Sequence, residues 1–236
     1  YLQVFPEERP AAIQLFGYDP DDFRKAVDII LTEPRLASCS MIDINMGCPV
    51  KKVVNTGAGA ALMLDPGRAA AIVGAARDSL AGTGKPVTVK IRSGFDDGER
   101  TAADFARHMI DAGAQMICVH ARTRSQFYRG KADWSVIGEV VDAAAGSVPV
   151  IGNGDVVNGP GALRMMARTG CDGIAVGRAA MGNPWIFPTI MNYLAEAEAY
   201  PSAEAALENL QPDAGSVRPD ADELAGTILE HFEALA

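Results

Sequence analysis

Six short hydrophobic segments recur along the chain, and each is followed by a longer amphipathic stretch. The segments are Ala11–Phe16, Met41–Asn45, Val87–Ile91, Met116–His120, Val148–Gly152 and Gly173–Val176. They are continuous apolar runs rather than alternating ones, which is typical of parallel strands that are covered on both faces. The pattern therefore predicts six buried parallel β-strands.

Helical patterns fill the intervals between these segments. The predicted helices are Asp21–Leu31, Asp65–Leu80, Thr101–Ala112, Trp134–Ala145 and Gly159–Thr169. Their ends carry recognisable signals: aspartates in DPDD for the first, a proline in the first turn of the second, and Gly113 after the third. Strand and helix thus alternate as successive βα units.

The alternation predicts an α/β fold, a (β/α)8 TIM barrel. Six units are too few to close such a barrel, and the chain begins with Tyr rather than Met. We therefore expect an incomplete barrel, with the first two strands preceding Tyr1. An open doubly wound sheet is the alternative, but it calls for G-x-G-x-x-G after the first strand, and AIQLFGYDP lacks this motif.

The pattern changes after Pro188. Residues 191–200 are helical in character, residues 201–222 are rich in Pro, Ala and acids, and residues 223–236 form an amphipathic helical pattern. We predict two domains: a barrel at 1–188, and the start of a helical domain at 189–236 that contains a flexible acidic linker.

Charge is distributed unevenly along the chain. The net charge is −9, with 21 Lys+Arg against 30 Asp+Glu. Residues 189–236 hold one basic residue against ten acidic ones, so residues 1–188 hold 20 of each and are neutral. An RNA partner is therefore compatible with the barrel, because local potential matters more than total charge.

The four cysteines, Cys39, Cys48, Cys118 and Cys171, form no CxxC pair and no zinc-binding cluster. Scattered cysteines in a chain of this length indicate a reduced, cytoplasmic protein without a metal site. No apolar run reaches the roughly 18 residues that span a bilayer, and the start has no signal-peptide pattern. We expect no membrane association, and no obligate protein partner is evident.

Every predicted strand ends in a polar or reactive side chain. The residues at or just beyond these ends are Gln14, Asn45, Cys48, Lys90, Arg92, His120, Arg122, Arg124, Asn153, Asp155, Gly177 and Arg178. Singly, Lys90 could be a solvated strand end and His120 a hydrogen-bonded core residue. Because the carboxyl ends of barrel strands meet at one rim, their coincidence indicates a functional site.

The last two strand ends have the character of an anion site. GNGDV at 152–156 and AVGR at 175–178 combine glycines with downstream helix starts, which bind phosphate through backbone N–H groups. Asp155 would be repelled by that phosphate, so we assign it to capping or backbone contacts. Lys90, His120 and Gln14 suit hydrogen bonds to the polar edge of a flavin.

Cys48 lies in a loop directly after a strand, near Lys51 and Lys52. Neighbouring cations favour the thiolate and suit the thiol for proton transfer. The alternative is a loop cysteine without a role. No Ser–His or Cys–His–Asp arrangement is evident, so acyl transfer is not favoured.

Taken together, these motifs resemble the tRNA-dihydrouridine synthases, in particular the bacterial DusB-type branch. The resemblance rests on IDINMGCPVKKVVNTGAGAALM, VKIRSGFDDG, VHARTRSQFYRGKADW, VPVIGNGDV and GCDGIAVGRAAMGNPWIF, and it covers roughly residues 11–188. It implies a flavin barrel followed by a helical tRNA-binding domain. It also implies that NADPH reduces FMN and that uridine in tRNA becomes 5,6-dihydrouridine.

The resemblance also implies residue roles. Cys48 would donate the proton to C5 of uracil while reduced FMN delivers hydride to C6. The residues expected to hold FMN are Gln14, Lys90, His120, Asn153, Gly154, Asp155, Gly177 and Arg178. Those expected to face uracil or tRNA phosphate are Asn45, Arg122, Arg124, Lys51 and Lys52, with Arg129 and Lys131 adding charge.

Two features depart from the family's pattern: the PMAG-type first-strand loop is not found, and the tail is acidic where that of the family is basic. Two alternative functions remain. One is an FMN barrel oxidoreductase that acts on a free pyrimidine, of the dihydroorotate or dihydropyrimidine dehydrogenase kind. The other is an RNA-binding remnant without activity.

Overall fold

The computed structural model describes residues 3–235, with the backbone alone for residues 228 and 231–235. The chain divides into two compact units. The first comprises Tyr1–Asp155 and Arg168–Ala175, and the second comprises Val156–Ala167 and Val176–Ala236. The division into a barrel at 1–188 and a helical domain at 189–236 stays a prediction.

A six-stranded parallel sheet forms the centre of the first unit. Its strands are β1 (Ala12–Leu15), β2 (Met41–Met46), β3 (Val87–Arg92), β4 (Ile117–His120), β5 (Val150–Asn153) and β6 (Gly173–Ala175). All six predicted strands are confirmed, with ends shifted by one or two residues. Their order in the sheet is β1-β2-β3-β4-β5-β6, and every pairing is parallel.

This order distinguishes the two predicted topologies. A doubly wound sheet reverses direction at a switch point, so its neighbours are not consecutive in sequence. Here each strand pairs with the next one in the chain, which is the order of a (β/α) barrel. In the described part of the chain β1 and β6 do not pair with each other, so the barrel is open.

Nine α-helices connect and follow the strands in the described residues. They are α1 (Pro20–Thr32), α2 (Lys51–Val54), α3 (Pro66–Ser79), α4 (Ala102–Ala112), α5 (Ser135–Ala144), α6 (Gly159–Thr169), α7 (Ile186–Ala197), α8 (Ala203–Asn209) and α9 (Ala221–Leu235). Short 3-10 helices cover Pro6–Glu8, Gly59–Leu64 and Arg178–Ala180.

The helix ends are set by the residues that the sequence indicates. Asp19 caps α1 by accepting a hydrogen bond from the N–H of Asp21, and Asp65 caps α3 in the same way from Arg68. Gly113 ends α4 with φ 110°, a left-handed conformation that favours glycine. The helix predictions within the first unit are therefore confirmed.

β4 is buried at all four of its positions, as expected for a strand covered on both faces, whereas apolar and polar residues alternate along β2. Ile42, Ile44 and Met46 of β2 are fully buried and lie on the helix side of the sheet, where α3 packs on β2. The intervening Asp43 and Asn45 point to the opposite face. The sheet therefore has an aliphatic face toward the helices and a polar face on the other side. The predicted site residues Gln14 and Asn45 lie on the polar face.

The aliphatic face forms the core of the first unit. Helices α1, α3, α4 and α5 lie side by side over it. They contribute buried residues such as Val27, Ile72, Phe105 and Val140. Full burial of one such side chain stabilises a fold by about 1.5–3 kcal/mol, so this layer fixes the positions of the strands.

The second unit is helical. Gly159 at the start of α6 lies against Tyr193 of α7, and an added Cβ would be 2.3 Å from the tyrosine Cγ. Tyr193 is itself 1% exposed, so only glycine fits at this position. The indole N–H of Trp185 donates to Glu223 over 3.0 Å, and Thr189 Oγ1 accepts from the N–H of Val217.

Part of the stretch that the sequence analysis treats as a linker is helical. Helix α8 lies within residues 201–222, where Ser202 caps it and Ala206 is buried. Ala, Glu and Leu favour helix strongly, so an acidic composition did not prevent a helix from forming. Helix α9 agrees with the predicted amphipathic segment at 223–236. Within residues 3–235 each helix is too short or too polar to cross a membrane.

Candidate functional site

The polar face of the sheet begins with three side chains from β1 and β2. Nε2 of Gln14 donates to Oδ2 of Asp43 over 2.6 Å, and Nδ2 of Asn45 donates to Oε1 of Gln14 over 2.8 Å. Parallel pairing in register brings them together, since Gln14 lies beside Asp43. The predicted site residues Gln14 and Asn45 are therefore neighbours.

Cys48 lies at the end of this group. Oδ1 of Asn45 accepts hydrogen bonds from the backbone N–H groups of Gly47 (3.1 Å) and Cys48 (2.8 Å). On the far side of the loop, Gly59 adopts φ 61°, and an added Cβ would lie 2.9 Å from the carbonyl oxygen of Cys48. The Cys48 loop is thus held on two sides, and Cys48 is partly exposed.

The other three cysteines, Cys39, Cys118 and Cys171, are buried. Burial raises the pKa of the Cys118 thiol to about 11. These residues pack as small apolar side chains. Among the described residues, no group of His, Cys, Asp and Glu is arranged to hold a metal ion.

Lys90 and Asn153 meet on the polar face although their strands are not adjacent. Nζ of Lys90 donates to Oδ1 of Asn153 over 3.2 Å, and Nδ2 of Asn153 donates to the carbonyl of Ala175 over 2.7 Å. These contacts fix the amide of Asn153. The ammonium of Lys90 has three protons, so two remain for a ligand.

His120 ends β4 between several cations. It is 8% exposed. Burial, followed by the charges of Arg92, Lys90 and Arg122, lowers the pKa of His120 to about 3. The imidazole is therefore neutral at physiological pH, and it offers a hydrogen-bond donor rather than a positive charge.

Arg92 follows Lys90 by two residues and was noted in the sequence without a role. Its side chain donates to the carbonyls of Gly47 (2.6 Å), Thr123 (2.8 Å) and Phe127 (3.1 Å). Burial lowers the pKa of Arg92 to about 10, so the guanidinium remains charged at neutral pH. Arg92 thus ties the Cys48 loop to the loop after β4. The available signal was a charged residue at the end of the strand, directly after Ile91.

Arg122 and Asp155 occupy the next loops. Nη2 of Arg122 donates to both carboxylate oxygens of Asp155, over 2.9 and 2.8 Å. Asp155 also accepts from the N–H of Ala132 over 2.8 Å. This agrees with the backbone contacts assigned to Asp155 from the sequence. The side chain of Arg122 is 2% exposed, so it does not lie on an RNA-accessible surface.

Two polar atoms of these loops are buried without a hydrogen-bond partner among the described residues: Nη1 of Arg122 and Nε of Arg124. The guanidinium of Arg124 stacks over the ring of Phe95 at 4.9 Å. Unsatisfied buried donors are costly, and they are commonly completed by a ligand or water.

The remaining predicted residues divide between the two units. Lys51 and Lys52 begin α2 and are exposed. Gly154 adopts φ 134°, and an added Cβ would lie 2.7 Å from the Cβ of Ala132. Gly177 and Arg178 belong to the second unit, where Arg178 begins a 3-10 helix. The phosphate site that combines these segments stays a prediction.

The chain is similar to several curated proteins. A probable tRNA-dihydrouridine synthase 1 from Synechocystis sp. is 38% identical over 197 residues, which cover 84% of this chain and 53% of that protein. A probable tRNA-dihydrouridine synthase from Mycobacterium tuberculosis is 42% identical over 181 residues, 77% of this chain and 46% of that protein. The tRNA-dihydrouridine synthase B of Pseudomonas putida is 35% identical over 229 residues, which cover 97% of this chain and 60% of that protein.

Solved structures share the fold. DHODH from Eimeria tenella, in complex with ferulenol, superposes with a TM-score of 0.56 at 19% identity, over 81% of this chain and 58% of that one. At this identity the likeness concerns the fold alone, and it supports the TIM-barrel prediction.

The extent of the matches differs between this chain and its relatives. The chain spans about half the length of the first two curated proteins above. The family described as Dihydrouridine synthase (Dus), in contrast, matches residues 2–224, nearly the whole chain. The chain therefore belongs to the dihydrouridine synthase family.

Proposed function

We propose that the protein reduces uridine in tRNA to 5,6-dihydrouridine with FMN as its cofactor and NADPH as the reductant. The observation that carries the proposal is the convergence of Gln14, Asn45, Lys90 and His120 on one polar sheet face, with the Cys48 loop bonded to Asn45 at its end. Family membership adds the substrate class, since the relatives are described as tRNA-dihydrouridine synthases.

The residues of this face fit a flavin. Gln14 retains one N–H and one lone pair beyond its bonds to Asp43 and Asn45, which suits a ring edge that both donates and accepts. Lys90 and the neutral His120 add donors at adjacent strands. When bound, FMN would supply the hydride that reaches C6 of uracil.

Cys48 would supply the proton that reaches C5. Cys48 is partly exposed, and its backbone N–H donates to Asn45, which fixes the loop backbone at this residue. A positioned proton donor contributes about 10²–10⁴-fold to a rate. The hydride and the proton together account for the two hydrogens that uracil gains.

Phosphate-anchoring roles follow the sequence-based expectations. We assign Asn153, Gly154, Gly177 and Arg178 to the cofactor phosphate, and Asp155 to support of that region through Arg122. Lys51, Lys52 and Arg124 would contact tRNA phosphates. Arg122 supports the loop rather than contacting RNA, because it is buried. A uracil must leave the tRNA stack to enter this site, as in other enzymes that act on bases. Because its proposed substrate is tRNA, we also propose that the protein acts in the cytoplasm.

An anaerobic titration tests this proposal. The bound flavin is reduced with NADPH, and unmodified tRNA or free uracil is then added while flavin absorbance is followed. Reoxidation by tRNA alone supports the proposal. Reoxidation by free uracil but not by tRNA would show an oxidoreductase of free pyrimidines, and tRNA binding without flavin reduction would show a remnant without activity.

A further inference from the structure

Four side chains form a continuous chain of hydrogen bonds from Thr88, near the start of β3, to the Cys48 loop. Thr88 donates to Oδ1 of Asp43 over 2.6 Å, and Gln14 donates to Oδ2 of the same carboxylate over 2.6 Å. Asn45 donates to Gln14 over 2.8 Å. Asn45 in turn accepts from the N–H groups of Gly47 and Cys48.

The two ends of this chain fix its direction. A carboxylate only accepts hydrogen bonds, so the amide of Gln14 must turn its Nε2 toward Asp43. A backbone N–H only donates, so the amide of Asn45 must turn its Oδ1 toward Gly47 and Cys48. Each amide could rotate by itself, but neither can reverse without placing two donors or two acceptors in contact.

Asp43 is the buried anchor of the chain. It is 8% exposed and Thr88 is 1% exposed. Among the residues that the structure describes, no Lys or Arg forms an ion pair with Asp43. A buried carboxylate without a cation is costly unless its hydrogen bonds are strong. Its position therefore requires an explanation other than stability.

We propose that Asp43 is a positioning residue, whose carboxylate sets the orientation of the Gln14 and Asn45 amides and thereby holds the Cys48 loop. The inference rests on the proposed function for its consequence: Gln14 presents one defined donor and one defined acceptor to the flavin, and Cys48 stands where it can protonate uracil. Asp43 itself touches neither group.

A double-mutant cycle tests the direction of the chain. In Asp43→Asn, Oδ1 can still accept from Gln14 because the hydroxyl of Thr88 can turn and accept from the new Nδ2. In Thr88→Val, the carboxylate remains. Each single variant should therefore keep the orientation. In the double variant, the new amide nitrogen at position 43 has no acceptor at position 88 and can bond only to Oε1 of Gln14. The population in which Gln14 and Asn45 are both reversed therefore rises, and in that population Gly47 and Cys48 lose their bonds to Asn45.

The readouts are the amide hydrogen exchange of Gly47 and Cys48 and the dissociation constant of FMN. Each single variant should change either quantity by no more than about threefold, a fraction of one hydrogen bond. The double variant should exceed the product of the single effects by about tenfold in both. If the changes in exchange and in the FMN dissociation constant of the double variant equal the product of the single effects, the proposal is overturned.

A second pair keeps the test decisive if the double variant does not fold. Gln14→Glu places two carboxylates in contact and should loosen the loop. Adding Asp43→Asn should restore its exchange protection, because the new amide at position 43 can donate to the new carboxylate at position 14 while Asn45 keeps its orientation. Failure of this rescue would equally overturn the proposal. Asp172→Asn, which changes a carboxylate that accepts from the N–H of Val150, is the matched control.

The exchange measurement distinguishes a failure of the proposed function from a failure of the role of Asp43. A wild-type protein that binds no FMN would contradict the proposed function, yet exchange at Gly47 and Cys48 would still report the chain in the flavin-free protein. If the wild-type protein binds FMN and reduces tRNA, but the effects of Asp43→Asn and Thr88→Val are additive in the double variant, only the role of Asp43 is contradicted.

Discussion

Arg122 and Asp155 form a two-pronged ion pair that joins the loop after β4 to the loop after β5. Both carboxylate oxygens lie within 2.9 Å of Nη2, and the arginine side chain is 2% exposed. The same arginine donates to the carbonyls of Arg129 and Gly130. The pair therefore fixes two adjacent rim loops, rather than offering a cation to solvent.

We expect Asp155→Asn to lower the free energy of unfolding by about 1–3 kcal/mol, because it leaves a buried guanidinium without its counter-charge. Chemical denaturation measures the change. Asp78→Asn is the control, since Asp78 pairs with Arg77 on the surface and such pairs contribute about 0.5 kcal/mol. Equal effects of the two substitutions would contradict the role of the Arg122 pair.

His120 should make the protein acid-sensitive. Its pKa in the folded protein, about 3, lies below the ordinary 6.5, so the unfolded chain binds a proton that the folded protein excludes. Its contribution is fully present above pH 6.5 and is lost as the pH falls toward 3. His120→Gln should remove a loss on the order of 3 kcal/mol between neutral pH and about pH 4.

Denaturation curves at several pH values provide this measurement. His108→Gln is the control, since His108 lies exposed on α4. If His120→Gln and the wild type lose stability in parallel on acidification, His120 is not a buried neutral imidazole.

Cys48→Ala should retain FMN and lose about 100-fold or more in turnover of tRNA, because only the proton donor is removed. Flavin content and single-turnover rates check both halves of the prediction. Cys39→Ala serves as the control, since Cys39 is buried before β2. Turnover of Cys48→Ala at the wild-type rate would refute the proton-donor assignment.

Arg178→Ala should weaken FMN binding by about 10- to 100-fold, the effect of losing a charge-assisted bond to phosphate. Fluorescence titration of the flavin-free protein measures the affinity. The exposed Arg218 provides Arg218→Ala as a control that should bind FMN normally. An unchanged affinity in Arg178→Ala would remove Arg178 from the phosphate site.

The double substitution Lys51→Glu and Lys52→Glu should weaken tRNA binding and flatten its salt dependence, with a slope change of about one per lost phosphate contact. Binding isotherms at several salt concentrations test this expectation. Lys25→Glu, on the exposed side of α1, is the control. Equal salt slopes in all three proteins would show that α2 does not meet the RNA.

The sequence predicted the strands and helices well because hydrophobic patterning and caps such as Asp19 determine them locally. It did not reveal the roles of Asp43 and Arg92, which lie inside mostly apolar strings and act through residues distant in sequence. Arg122 shows the same limit. Its place at a strand end was predictable, but its burial depends on Asp155, 33 residues away, and on the loop at 129–130.

Mass spectrometry of tRNA tests the central claim most directly. The protein produced from its complete gene is incubated with FMN, NADPH and an unmodified tRNA transcript, which is then digested and weighed. We predict that at least one uridine gains the mass of two hydrogen atoms, and that Cys48→Ala greatly slows the gain. A protein that binds FMN and accepts electrons from NADPH, yet leaves every uridine unchanged, would contradict the account.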